Sequence, residues 1–304
     1  MKISICVSTY RRPDGIRRLL HALDSLELPE PDARIEAVVV DNEPSTGVRE
    51  ICEGAASSIR WPVRYAAEPR RGISHARNKA LELASDDSDW IAIIDDDEVP
   101  HREWLVELLR VQRETDADVV TGPAVPHFER GATDWIESGE FFAPQRHPDG
   151  SPIPYAFTHN VIFRASLRSD PRLVPAFAER YGLSGGEDQH FFERVKRAGY
   201  RLHWADAAEV TEWVPSERTN ARWLVRRQFR IGNALARIQA ELDPGLRFAL
   251  RRALRAAKEI LFALFSLPAA RFRGMAEWVR AQQRAAFSLG VIWGLLGGTY
   301  EGYR

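Results

Sequence analysis

Little in the 304-residue sequence offers a quick classification. It has only two cysteines, Cys6 and Cys52, and no further cysteine or histidine near them at zinc-ligand spacing, so a disulfide framework and a zinc module are both excluded. Both cysteines read as small buried hydrophobes in a reducing compartment. The longest apolar runs, 260–270 and 285–300, fall short of the roughly 20 residues a membrane-spanning helix needs. The N-terminus enters an apolar run at Ile3 without the longer stretch and cleavage site of a signal peptide, so export is not expected. With a formal net charge of −1 the chain lacks the basic field of most nucleic-acid binders, and no nucleic-acid partner is expected. No Gly-x-Gly-x-x-Gly follows the first apolar run and no Walker lysine loop occurs, which argues against NAD, FAD and P-loop sites. There is no internal repeat.

What is present is a hydrophobic content of 44% with 28% charge, enough to bury a full core. In the first half, short β-branched runs at 3–8, 35–41, 63–67, 90–95 and 119–125 alternate with helical patterns at 13–26, 46–57, 74–84 and 103–114. That alternation predicts an α/β fold with a mostly parallel sheet. A stretch rich in proline, glycine and aromatics, 127–155, is too long for an ordinary connection and reads as a functional loop facing an acceptor. Beyond it the pattern predicts a strand at 159–163, a helix at 187–198 entered through Ser184, Gly185 and Gly186, strands at 200–204 and 209–214, and a long helix at 221–241.

The C-terminal third differs in charge. From Arg218 to Lys258 a basic run meets only Glu241 and Asp243, which suits phosphates or an anionic surface. The two apolar runs follow, separated by the basic segment 271–284. This pattern fits an interfacial or re-entrant pair of helices. It equally fits a helical hairpin packed on the rest of the chain or on a second subunit, as in a homo-oligomer.

Ligands of open α/β sheets bind beyond the carboxyl ends of the strands. The first run ends in Ser8, Thr9, Tyr10, Arg11, Arg12 and Pro13; the second in Asp41, Asn42 and Glu43; the third leads to Arg70, Arg71 and Gly72. The fourth ends in Asp95, Asp96, Asp97 and Glu98. Carboxylates crowded into one turn are costly unless a cation neutralises them, and oxygen ligands favour Mg²⁺ or Mn²⁺ bound together with substrate phosphates. Taken alone, the same cluster also fits a solvated acidic helix cap ahead of Pro100.

The ordered set Val7-Ser8-Thr9-Tyr10-Arg11-Arg12-Pro13, Val40-Asp41-Asn42, Gly72-Ile73-Ser74-His75-Ala76-Arg77-Asn78, Ile94-Asp95-Asp96-Asp97-Glu98 and Gly185-Gly186-Glu187-Asp188 resembles the family 2 glycosyltransferases of the GT-A fold. Within that family it looks most like the succinoglycan-type exopolysaccharide glucosyltransferases. The resemblance implies a GT-A domain over 1–235; the remainder, 236–304, reads from its composition as C-terminal amphipathic and apolar helices, either membrane-associated or packed as a hairpin. It implies inverting transfer of a sugar from a nucleotide-diphosphate donor, a UDP-sugar foremost, to a hydroxyl of a glycan or polyprenyl-linked acceptor in cell-surface polysaccharide or glycolipid synthesis. The place would be the cytoplasmic face of the cell membrane, through peripheral contact, and the cofactor Mn²⁺ or Mg²⁺.

Residue by residue, the resemblance implies that Thr9 and Arg11 line the nucleotide pocket, that Asp41 binds the base, and that Arg77 and Asn78 lie near base and diphosphate. Asp95 and Asp96 would meet ribose or donor sugar, Asp97 the metal, and Arg227 and Arg230 the phosphates. Gly186, Glu187 and Trp135 would face the acceptor. Relatives often use a later histidine as a further metal ligand; the nearby residues here are His203, Glu212 and Trp213. Asp188 is the expected general base, because inverting transfer needs one carboxylate to take the acceptor hydroxyl's proton. Two other readings compete: a phosphohydrolase, disfavoured because Ser8 and Thr9 stand where its aspartate nucleophile belongs, and a catalytically inactive membrane-associated assembly subunit.

Overall fold

The structure, a computed structural model, describes residues 1–44 and 47–302; Thr46, the expected start of the second helix, lies outside them. The β-branched runs form strands because their side chains are buried on both sides of a parallel sheet, which leaves no polar alternation. Strand β1 (Lys2–Thr9) is followed by α1 (Pro13–Asp24), whose proline occupies the first helical turn, where its missing N–H costs nothing. Then come β2 (Arg34–Asp41), α2 (Val48–Ala56), β3 (Val63–Ala67), α3 (Ile73–Leu83) and β4 (Trp90–Ile94). After β5 (Glu98–Pro100) and α4 (Trp104–Thr115) the chain forms β6 (Val119–Thr121), β7 (Ala124–Phe128) and α5 (Asp134–Ser138). It continues through β8 (Asn160–Arg164), α6 (Glu187–Arg197), β9 (Leu202–Trp204) and β10 (Val210–Val214) to α7 (Ala221–Leu242), α8 (Leu246–Arg273) and α9 (Met275–Leu295).

The main sheet runs β3-β2-β1-β4-β8-β6-β9. Its β3, β2, β1 and β4 are mutually parallel, and β8 is antiparallel to both β4 and β6, so the expected mostly parallel sheet is present with one reversed strand. Ile3, Ile5 and Val7 of β1 face a core shared with α1 and α4; Cys6 and Val38 face a second core shared with α3 and α6. Cys6 and Cys52 are free, buried, and assigned to opposite cores.

The expected strand 119–125 is two strands, because Pro123 has no N–H for a ladder and breaks the run. β6 stays in the main sheet, while β7 joins a small sheet of order β5-β10-β7.

The chain divides into two compact units. The first comprises 1–127, 144–182 and 187–213, and the second 128–143, 183–186 and the chain from Val214 onward. α8 and α9 thus share the second unit with α7. The cause lies within the second unit: Gly232 of α7 and Gly290 of α9 let the two helix backbones touch, since a Cβ on either would come within 2.1 Å of a carbonyl oxygen of the other helix. α8 is one helix of 28 residues that runs through Pro268, joining the basic and apolar segments. No helix among the described residues is long and apolar enough to cross a membrane.

Candidate active site

Every strand of the parallel half of the first unit ends at one edge, and the turns beyond these ends carry the polar residues picked out in the sequence. Thr9, the last residue of β1, donates from its hydroxyl to Asp96 at 2.8 Å and is 2% exposed. Arg12 reaches Asp96 at 2.6 Å and Asp97 at 2.9 Å, and the Tyr10 amide also points at Asp96. Burial pulls the Arg12 pKa down and the two aspartates more than reverse it, so it stays charged. Burial, followed by the charge of Asp97, pushes the Asp96 carboxyl up to about 6 against Arg12 and Thr9. Asp96 thus ties the end of β1 to the acidic turn, and its oxygens are already engaged. Arg12 is a residue that sequence reading left out of the site; its place in the Thr9–Pro13 motif was the available signal.

Arg11 has a left-handed backbone, φ 57°, and its exposed guanidinium pairs with Glu43 at 3.0 Å. Asp41, fully buried at the end of β2, accepts from the Glu43 amide at 2.9 Å and the Tyr65 hydroxyl at 3.3 Å. Burial raises its pKa, and these two donors only partly offset that. Tyr65, two residues from the end of β3, was not visible as a partner from sequence spacing. Asn42 accepts from the Gly72 amide and donates to the carbonyls of Glu68 and Arg70, which fixes the turn leading to α3.

Arg77 of α3 is the centre of the network. It is 4% exposed and lies between Asp95, at 2.8 Å, and Glu187, the first residue of α6. Burial would raise the Asp95 pKa, but Arg77, His159 and Arg12 hold it below the usual carboxylate value. Glu187 is buried and ion-paired here, so its carboxylate serves to hold Arg77. Asn78 holds the backbone of Phe177 through both halves of its amide, at 2.7 and 3.0 Å. Asp188, next to Glu187, is half-buried and accepts from the Gln189 amide at 2.7 Å, in the first turn of α6 where negative charge is favoured.

Glu98 is forced well above the ordinary carboxyl range by burial and then by the charges of Asp95 and Asp97. Asp95 and Asp97 thus crowd a buried carboxyl within the same turn. Among the described residues no group of three or more His, Cys, Asp or Glu is arranged to hold a metal unaided. Asp97 with Asp95 beside it nevertheless fits the donor set of Mg²⁺ or Mn²⁺, which take one or two carboxylates together with substrate phosphates. Of the three residues considered as a further ligand, Glu212 pairs with Glu98 across β10 and β5, and the Trp213 amide donates to the Asp97 carbonyl at 2.7 Å. His203 instead meets the Gly150 carbonyl from β9.

The remaining expected residues belong to the second unit. Gly186 has φ 92° and packs so that a Cβ would lie 2.9 Å from that of Ala234, which requires glycine without reference to a ligand. Trp135 of α5 is half-buried, edge-on to Phe141 at 5.5 Å, in a cluster with Ile136, Leu224 and Val279. Arg227 lies 5.3 Å from the Trp223 ring centroid on α7, and Arg230 is one turn further along that helix.

Comparison with known proteins bears on this geometry. A model described as glycosyl transferase family 2 matches residues 4–170, and one described as glycosyl transferase family group 2 matches 90–298. The chain is 35% identical to the succinoglycan biosynthesis protein ExoM of Rhizobium meliloti over 98% of this chain and 94% of that one. It is 27% identical to the glycosyltransferase AglE of Haloferax volcanii over 88% and 82%. Among solved structures, the mannosyltransferase PcManGT of Pyrobaculum calidifontis, in complex with GDP-Man and Mn²⁺, superimposes with a TM-score of 0.67 at 19% identity, covering 97% of this chain and 87% of that one. At that identity the likeness concerns the fold, which is the GT-A fold expected from the motifs.

Proposed function

The chain belongs to glycosyl transferase family 2 and is a glycosyltransferase, and from that premise we propose that it moves a sugar, with inversion, from a nucleotide-diphosphate donor to a hydroxyl of a glycan or lipid-linked acceptor in polysaccharide synthesis. A UDP-sugar is the donor proposed first: Asp41 at the tip of β2 would accept from an N–H of the base, and of the structural neighbours TarS is in complex with UDP-GlcNAc and PcManGT with GDP-Man. The observation that carries the reading is the bridge Asp95–Arg77–Glu187, which ties the acidic turn after β4 to the start of α6, where Asp188 follows in the chain.

In this mechanism the acceptor hydroxyl gives its proton to the Asp188 carboxylate while its oxygen bonds to the anomeric carbon. The bond from that carbon to the diphosphate breaks on the opposite face, and the nucleoside diphosphate leaves with the electron pair. Arg77 fixes Asp95 for the ribose or donor sugar, and Arg12 holds Asp97 in place. A divalent cation held by Asp97 and the donor's diphosphate would supply positive charge to the leaving group. Expressing Asp188→Asn tests the assignment: sugar transfer should fall by at least a thousandfold while UDP binding in the presence of Mn²⁺ is kept. Turnover near that of the native chain would remove Asp188 from the mechanism.

The partner of α8 is proposed to be an anionic lipid surface, contacted peripherally. Leu250, Leu254, Leu261, Leu264, Phe265 and Phe272 of this helix are all more than half exposed, and Arg247, Arg251 and Lys258 accompany them. Apolar side chains at three- and four-residue spacing flanked by cations are the pattern of an interfacial helix. The assembly-subunit reading has no observation of its own in its favour.

A further inference from the structure

The other side of α8 carries a different feature. Arg252 and Arg255 of α8 and Arg280 and Arg284 of α9 line a pocket of about 600 Å³, with Glu259 its one carboxylate among the described residues. Arg280 is already engaged, by Glu277 and by the Gly139 carbonyl at 3.0 Å. Arg284 lies with its guanidinium 5.6 Å from the Phe262 ring centroid. Arg252 has its Nε and Nη2 closed off from solvent, and among the described residues neither meets a hydrogen-bond acceptor. Burial, and then repulsion from Arg255, pull its pKa below the ordinary arginine value. A guanidinium stays charged in a protein, so two buried donors without an acceptor, inside a lining of excess positive charge, are costly unless an anion supplies the missing oxygens.

We infer that this pocket is a binding site for a multiply charged phosphate, seated on Arg252, Arg255 and Arg284. Phosphate suits the lining better than a single carboxylate does, because several planar guanidinium forks can each pair with its oxygens. The same chemistry could come from a soluble diphosphate or from a lipid phosphomonoester headgroup. The soluble source is favoured by the helix itself: Arg252 is two positions from both Leu250 and Leu254, which at 3.6 residues per turn puts it on the other side from the exposed apolar stripe. A bilayer covering the stripe would not present its headgroups to the pocket. The inference stands on residues of the second unit and does not depend on the transfer chemistry.

The test is calorimetric titration of the full chain with inorganic pyrophosphate in metal-free buffer, repeated on Asp97→Asn to disable the proposed donor site. Binding should be present in both and at least tenfold weaker in Arg252→Gln and in Arg255→Gln, the latter at an exposed position where folding is not at stake. In parallel, sedimentation is measured with phosphatidylcholine vesicles with and without phosphatidic acid. Binding that requires phosphatidic acid and is lost in both arginine variants, with no pyrophosphate binding, assigns the site to a lipid phosphomonoester. Absence of both interactions, or interactions that both variants retain in full, overturns the site.

Discussion

At the strand tips of the first unit Arg77 is 4% exposed and lies between two carboxylates, whereas in the second unit Arg252 keeps two buried nitrogens without an acceptor among the described residues and Leu246, Phe265 and Phe272 are 85%, 84% and 92% exposed. The first arrangement is a buried ion-pair network, and such networks hold side chains in one geometry, which is what positioning a reacting group demands. The second leaves both its charge and its apolar surface open. Open apolar surface of this extent marks a place where something else binds. Precision of placement and readiness to bind are thus divided between units built from the same chain by different residue patterns.

The contrast breaks most visibly at Arg77. Arg77→Met leaves the Asp95 and Glu187 carboxylates near neutral pH without their shared cation, and the loss of stability should be about 3–5 kcal/mol in urea unfolding. Adding Glu187→Gln should recover part of it, since one uncompensated charge is then gone. A single variant that unfolds at the same urea concentration as the native chain would show that the network is not formed in solution.

The second unit should respond in the opposite sense. The triple change Leu254→Gln, Leu261→Gln and Phe265→Gln touches side chains that already face solvent, so stability should move by no more than about 0.5 kcal/mol. Partition onto anionic vesicles should nonetheless fall about tenfold or more, because the removed groups are the ones that would enter the bilayer interface. Unchanged vesicle binding would take the lipid surface away from α8. A large loss of stability would mean that the stripe is covered within the protein.

The two regions also differ in how far they could be read in advance. The strand tips were legible because a parallel sheet brings its carboxyl ends together, so Thr9, Asp41 and Asp95–Asp97 converge once the strand runs are recognised. What could not be read is which polar group pairs with which. Arg77 on α3 and Glu187 on α6 are 110 positions apart, and nothing local indicates that they meet. In the small sheet β10 was expected, at 209–214, but β5 was hidden by its length of three residues, too short for a periodicity to register. In the C-terminal third, composition divided basic from apolar segments, yet the helix ignores that boundary because its two faces run its whole length. Pro268 did not end it, since the helix continues to Arg273.

Between the buried network and the open helix lies an intermediate case, at the exit of β3. Glu68 is 5% exposed, but its partner Arg70, which approaches both carboxylate oxygens at 2.9 Å, is largely in solvent. The hydrogen bonds from Arg70 outweigh burial and hold the Glu68 carboxyl down at about 2. Because the folded value lies below the ordinary one near 4.5, the pair adds stability above that pH and loses it as the pH falls from about 4.5 toward about 2. Solvent around Arg70 screens the attraction, so Glu68→Gln should cost only about 1 kcal/mol at pH 7, well below the loss at Arg77. Urea unfolding of both proteins at pH 7 and at pH 3 measures this directly. The gap should narrow at the lower pH; a gap of the same size at both would mean that Glu68 acts through shape rather than charge, and the gradation from buried to open pairing would lose its middle term.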